Sequence, residues 1–166
     1  MFINSPLLLL IMKDIFSRLI KKIKSDDDIR EKVIIKSRPV IKDSKQAIYA
    51  IHKGSLKEAE ALIKSAEKGI DEIKKLDFSV GAYNAALQEY VEAVSYLHYV
   101  KTGELISDLD IKVDGENYLL GLCDLTGELS RRAVYAVIKE NFSEVEKIHK
   151  FVFAIHDEFL KFEFRN

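Results

Sequence analysis

Apolar residues recur every three or four positions through most of this chain, the spacing of a helix with one buried face. No stretch alternates apolar and polar residues in the manner of a half-buried strand. Only two prolines and seven glycines interrupt the pattern. The pattern therefore predicts an all-α protein, and its short connections favour an antiparallel helical bundle.

Capping residues and helix breakers indicate where the helices begin and end. A first amphipathic segment is predicted over 13–24. The three aspartates at 26–28 suit the start of a second helix that ends near 52 and that Pro39 should kink. Gly54 should end that helix, and Ser55 should cap the next one with Glu58 in a capping box. Further helices are predicted at about 56–76, 80–102 and 116–140, with a polar loop at 102–115 and a break at Asn141. A last helix, capped by Ser143, is predicted to continue to the C-terminus.

The 166 residues are enough for one domain with a hydrophobic core, and we predict a single helical domain over 12–166. Residues 1–11 are expected to be a loosely attached extension or an over-called start. The apolar run within them is too short to span a bilayer and lacks the basic flank of a signal peptide, so no membrane association is expected.

Cys123 is the only cysteine, which excludes an intramolecular disulfide and suits a cytoplasmic protein. It lies in an apolar run, so we expect it to be a small core residue. The net charge of −1 gives the whole protein no general attraction to nucleic acid. Residues 13–38 nevertheless contain nine basic residues against five acidic ones, a local basic surface.

Two predicted helices each carry a pair of carboxylates within an apolar setting. Residues three or four apart share a helix face, so each pair belongs to a narrow stripe. One stripe consists of Ala85, Glu89, Glu92, Tyr96 and Tyr99. The other consists of Gly121, Asp124, Glu128, Arg131 and Tyr135. Ala85 and Gly121 have little or no side chain and would let the two helices approach closely.

Either carboxylate pair could simply be a solvated helix face. Four like charges that face each other would, however, repel and raise each other's pKa, and a divalent cation would remove that conflict. Carboxylate oxygens suit Mg²⁺ or Mn²⁺. A di-iron site of the ferritin type is a competing hypothesis, but it requires Glu-x-x-His on two helices, and only Glu146 with His149 fits.

Two segments resemble the signature segments of the translin superfamily, in particular those of translin-associated factor X. They are LQEYVEAVS at 87–95 and YLLGLCDLTGEL at 118–129. A looser similarity extends over about 26–160. The short loop between the third and fourth helices suggests a compact prokaryotic or archaeal member.

The resemblance implies an all-helical subunit of a closed, octameric shell that binds RNA or single-stranded DNA, with a translin-like partner subunit as a further expectation. In factor X-like members it also implies a Mg²⁺-dependent endoribonuclease, whereas translin itself binds nucleic acid without the full acidic set. The acids that match the catalytic and metal-binding positions are Glu89, Glu92, Asp124 and Glu128.

Under this interpretation, the metal activates water and neutralises charge on the phosphate, and a glutamate of the first pair orients or deprotonates that water. Arg131 could contact phosphate or form a structural ion pair. Contacts to the RNA backbone are expected from the first long helix. The candidates are Arg30, Lys36, Arg38 and Lys45, for which an ordinary solvated face is the alternative.

The chain differs from the family pattern at its C-terminus, where family members usually continue with another long helix that helps to form the subunit interface. Three hypotheses follow: a metal-dependent endoribonuclease, a nucleic-acid-binding shell without cleavage, and a nonfunctional remnant.

Overall fold

The computed structural model describes residues 6–78, 80–111 and 113–162, and these form helices without any strand. The helices are α1 (Pro6–His52), α2 (Leu56–Lys74), α3 (Gly81–Thr102), α4 (Asp108–Ile111), α5 (Gly115–Ile138) and α6 (Phe142–Phe159). The all-α prediction is confirmed. α4 is a single turn inside the segment that was expected to be a loop. No helix of the described part is long and apolar enough to cross a membrane.

α1 is one continuous helix of 47 residues, about 70 Å long, so the prediction of a separate helix beginning at 26–28 is wrong. The aspartates are accommodated because no glycine or proline breaks the backbone there, and local propensity is only a weak preference. Pro39 lies inside the helix without ending it. Buried Val33, Val40 and Ala47 anchor α1 on both sides of the proline. Of the proposed extension, residues 1–5 lie outside the described residues, and 6–11 are the first turns of α1.

Two apolar clusters hold the helices together. One joins α1, α2 and α3 through residues such as Val40, Ile70 and Val91. The other joins the C-terminal half of α1 to α3, α5 and α6 around Tyr96 and Leu125. α3 therefore lies at the centre of the bundle, and a polar side chain on it can be buried.

Two of the predicted caps differ in the structure. Gly54 has φ +78° and ends the first helix as expected, but the Ser55 side chain makes no capping hydrogen bond, so the capping box is absent. Asn141, and not Ser143, caps α6, because its side chain accepts a hydrogen bond from the Glu144 backbone N–H.

Candidate active site

All four predicted carboxylates line one cleft of about 550 Å³ between α1, α3 and α5. α3 contributes Glu89 and Glu92, and α5 contributes Asp124 and Glu128. Each pair lies on one helix face because its members are three or four residues apart. The remaining lining residues are Lys45, Ile48, Tyr49, His52 and Arg131. The sequence-based prediction that the two stripes face a common site agrees with this arrangement.

α3 and α5 approach each other closely at Gly121. A Cβ atom at this position would lie 2.6 Å from Val91 Cβ and 2.8 Å from the Gln88 carbonyl oxygen, which is closer than van der Waals contact allows. Since neither atom belongs to a flexible side-chain end, the two helices would have to separate. The packing thus supports the prediction that Gly121 lets the two helices approach closely. This close approach sets the distance between the two carboxylate pairs.

We expect Gly121→Ala to destabilise the protein by about 1–3 kcal/mol, the usual cost of overpacking a well-packed contact. It should also reduce any activity of the cleft, because the shift separates Glu92 from Asp124. Gly127→Ala is the matched control, since nothing lies within 4 Å of a Cβ placed there. Urea unfolding of both variants checks this. Equal stability of the two would contradict the role given to Gly121.

Three cationic or imidazole side chains contact the carboxylates. Lys45 Nζ lies 2.9 Å from Glu89 Oε1, and the hydrogen bond and charge of Glu89 raise the pKa of Lys45. His52 Nε2 lies 2.5 Å from Glu128 Oε2. Arg131 Nη1 is 3.8 Å from the same oxygen. Because this ion pair is long and Arg131 is exposed, the arginine can leave Glu128 and bind another anion.

Glu92 is the most enclosed of the four acids, with 8% of its surface exposed. Burial raises its pKa to about 8, and the negative charges of Glu89, Asp124 and Glu128 contribute in the same direction. Among the described residues, neither Glu92 nor Asp124 takes part in an ion pair. The cleft thus holds more negative charge than its own cations balance.

His52 belongs to the cleft as well, although no motif in the sequence marks it as a site residue. Its Nδ1 lies 3.2 Å from the Tyr96 hydroxyl, whereas the other ring nitrogen, Nε2, contacts Glu128. Tyr96 in turn is close to Arg132, whose Nε donates to Glu144 over 2.6 Å. The seven-residue spacing from Lys45 to His52 on α1 was the available signal, because it places both on one face.

The donor chemistry of the cleft fits a hard divalent cation, because four carboxylates with excess negative charge are what Mg²⁺ and Mn²⁺ prefer. As the side chains stand, no three His, Cys, Asp or Glu residues of the described chain form a metal-binding group. Glu89 and Glu128 are instead engaged with Lys45 and His52. The four carboxylates are thus suitable ligands for such an ion, but Lys45 and His52 compete with the ion for two of them.

The four candidate RNA contacts lie in different surroundings. Lys45 lines the carboxylate cleft, and Lys36 Nζ forms an ion pair of 2.6 Å with Glu72 of α2. Arg30 and Arg38 are exposed on α1. Arg38 precedes Lys45 by seven residues and so shares its helix face. Contact of these residues with RNA remains a prediction.

Two further expectations can be compared with the structure. Cys123 is exposed, so the expectation of a core residue is wrong: it lies off the buried face of α5, which Leu122 and Leu125 fill. Glu146 forms an ion pair with Lys150, and His149 contacts the Phe153 ring, so neither residue faces the carboxylate cleft. This gives no support to a di-iron site.

The fold and the cleft define an α-helical bundle with an acidic site between its central helices. The chain belongs to the translin family, whose family model matches residues 28–166. It is 32% identical to an uncharacterized protein of Methanocaldococcus jannaschii, over 94% of this chain and 72% of the relative. It is also 32% identical to the translin-associated protein X homolog of Schizosaccharomyces pombe, over 81% of this chain and 67% of that protein.

Translin-associated protein X of Mus musculus is 26% identical, and the match covers 80% of this chain and 61% of the mouse protein. Several solved structures share the fold, among them two of AfC3PO. One is a complex of AfC3PO with duplex RNA, with a TM-score of 0.79, 26% identity, and coverage of 89% of this chain and 81% of that one. The other is AfC3PO alone, with a TM-score of 0.79, 27% identity and the same coverage.

Proposed function

We propose that this protein is a metal-dependent endoribonuclease whose active site is the carboxylate cleft. The observation that carries the proposal is the convergence of Glu89, Glu92, Asp124 and Glu128 on one cleft, with Glu92 buried among the other three negative charges. Membership of the translin family and the similarity to translin-associated protein X support it. So does the likeness to a structure that contains duplex RNA.

The four carboxylates would hold one or two Mg²⁺ ions, with Mn²⁺ as a substitute. Bound there, the metal would acidify water and neutralise charge on the scissile phosphodiester. As metal ligands, Glu89 would weaken its contact with Lys45, and Glu128 would weaken its contact with His52. Lys45, released in this way, would be available to phosphate oxygens at the mouth of the cleft.

The protein's own residues have separable roles in this proposal. Glu92 is buried at the base of the cleft and cannot reach bulk solvent easily, so it would act as a fixed ligand. Glu89 is partly exposed and would orient or deprotonate the attacking water. No residue forms a covalent intermediate. Arg131 lies at the exposed rim and would contact phosphate once its long pair with Glu128 opens.

We also propose that the chain acts as an oligomer, either an octamer or an assembly with a translin-like partner. Large apolar side chains remain exposed on α5 and α6, among them Val134, Ile138, Phe142 and Phe153. Such a surface is more typical of an interface than of a monomer's exterior. A monodisperse assembly in light scattering would also argue against a nonfunctional remnant.

The test is cleavage of a short labelled RNA by purified protein, with Mg²⁺ or with EDTA, beside the double variant Glu89→Ala/Glu92→Ala. The proposal predicts cleavage that requires the metal and that the double variant lacks, while RNA binding persists. RNA binding without cleavage under any divalent metal would instead favour the alternative, a binding shell without catalysis.

A further inference from the structure

A second cleft of about 620 Å³ adjoins the carboxylate cleft, and we call it the cationic cleft. It lies between the C-terminal end of α1 and the C-terminal half of α5. The two clefts share Tyr49, His52 and Arg131. A ligand that extends out of the carboxylate cleft past Arg131 therefore enters the cationic cleft directly.

The charge changes sign along a single stripe of α5. Asp124 and Glu128 face the carboxylate cleft, and then Arg131, Tyr135 and Lys139 follow at intervals of three and four residues toward the end of the helix. Lys53, just after α1, contributes a further cation from the opposite side. Among the described residues, Glu144 is the one acid that lines this cleft, and it is paired with Arg132 at 2.6 Å. The cationic cleft thus carries a surplus of positive charge.

Two exposed tyrosines accompany these cations. Tyr49 is 59% exposed and Tyr135 is 49% exposed, although both line a cleft. Lys53 Nζ lies 4.4 Å from the centre of the Tyr49 ring, a cation–π contact. Exposed aromatic rings beside backbone-binding cations are the usual means by which proteins hold single-stranded nucleic acid, because every base can stack on a ring.

We propose that the cationic cleft binds the nucleotide next to the scissile phosphate, with its phosphate on Arg131, Lys139 and Lys53 and its base stacked on Tyr135. The placement relative to the scissile bond rests on the proposed function of the carboxylate cleft. The acidic cleft by itself repels a phosphodiester. A cationic subsite in contact with it supplies the attraction and fixes which linkage faces the carboxylates.

The test measures binding of a fluorescent pentanucleotide RNA by anisotropy in EDTA, so that no cleavage occurs. Tyr135→Ala should weaken binding by about tenfold, the typical value of one stacked base, whereas Tyr135→Phe should bind like the wild type. Lys139→Ala should also weaken binding and lower the salt dependence by about one phosphate contact. Lys150→Ala, on exposed α6, is the charge-matched control and should change neither quantity.

A strand of abasic ribose phosphates of the same length separates stacking from charge. The wild type should bind it about tenfold more weakly than RNA, and Tyr135→Ala should lose most of that preference. An unchanged preference for bases in Tyr135→Ala, together with normal binding by Lys139→Ala, would overturn the proposal. Circular dichroism of the variants controls for folding.

The outcomes also distinguish this inference from the endonuclease proposal. If the wild type fails to cleave RNA in Mg²⁺ but Tyr135→Ala and Lys139→Ala lose binding, the cationic cleft stands as a nucleic-acid site and the nuclease proposal fails. If the wild type cleaves RNA and both variants bind and cleave like it, the nuclease stands and the cationic subsite is rejected.

Discussion

Replacing Asp124 with Asn is expected to lower Mg²⁺-dependent RNA cleavage by roughly a hundredfold to a thousandfold, the typical loss when one electrostatic group of an active site is removed. Asn keeps the shape of the side chain but not its charge. Asp124 has no ion-pair partner among the described residues, so the change leaves no cation uncompensated. RNA affinity in EDTA should be unchanged or slightly higher, because one negative charge has been removed from the cleft.

Asp157→Asn is the matched control for this experiment. Asp157 is an exposed aspartate of α6, outside the cleft, and its one ion-pair contact among the described residues is a long one of 3.9 Å to His156. Its replacement should leave both cleavage and binding at the wild-type level. Full activity in Asp124→Asn would show that the carboxylate cleft is not the active site, whatever the protein does to RNA.

Glu92→Gln is expected to stabilise the metal-free protein at alkaline pH. Burial and the neighbouring carboxylates raise the pKa of Glu92 to about 8 in the folded state, above its ordinary value of about 4.5. The folded protein therefore holds this proton more tightly than the unfolded chain does. The free energy of unfolding should fall as pH rises from about 4.5 to about 8, and level off above that.

The slope in this window is at most about 1.4 kcal/mol per pH unit from this one group, so the total amounts to a few kcal/mol. Glutamine resembles the protonated acid and should abolish the slope. Urea unfolding in EDTA at several pH values measures it, with Glu31→Gln on the exposed side of α1 as the control. Parallel pH profiles for the wild type and Glu92→Gln would contradict the electrostatic description of the cleft.

The sequence was sufficient to place the two carboxylate stripes, because a helical period fixes which residues share a face. It also identified Gly121 as a point of close approach, since a glycine within the apolar stripe of a helix leaves room for a neighbouring backbone. α3 and α5 therefore have nearly the predicted bounds, Gly81–Thr102 and Gly115–Ile138. Both helices contribute to the hydrophobic core, so the apolar residues that the sequence pattern predicts to be buried are the ones that pack against other helices.

The contribution of α1 to the cleft could not be derived in the same way. Its stripe of Lys45, Tyr49 and His52 lies off the buried apolar stripe of the same helix, so the apolar pattern of α1 does not mark it as part of a site. Which side of α1 meets α3 depends on tertiary contacts between residues far apart in the sequence. The exposure of Cys123 has the same origin, because the apolar run around it continues past the buried face of α5.

The continuity of α1 shows the limit of local signals. The aspartates at 26–28 are good helix starters, yet they lie within a helix, because the weak local preference for a start has no break in the backbone to reinforce it. At the other end of the bundle, Asn141 takes the capping role that Ser143 was expected to have. Both residue types cap well, so composition alone does not choose between them.

The most direct test of the central claim is a calorimetric titration of Mg²⁺ into RNA-free protein that has been stripped of metal, because it requires no knowledge of the natural RNA. The account predicts saturable binding of one or two ions per chain, tighter at higher pH as Glu92 gives up its proton, and at least about tenfold weaker in Asp124→Asn. Absence of saturable binding at millimolar Mg²⁺, or equal binding by Asp124→Asn, would contradict the assignment of the four carboxylates to a metal site.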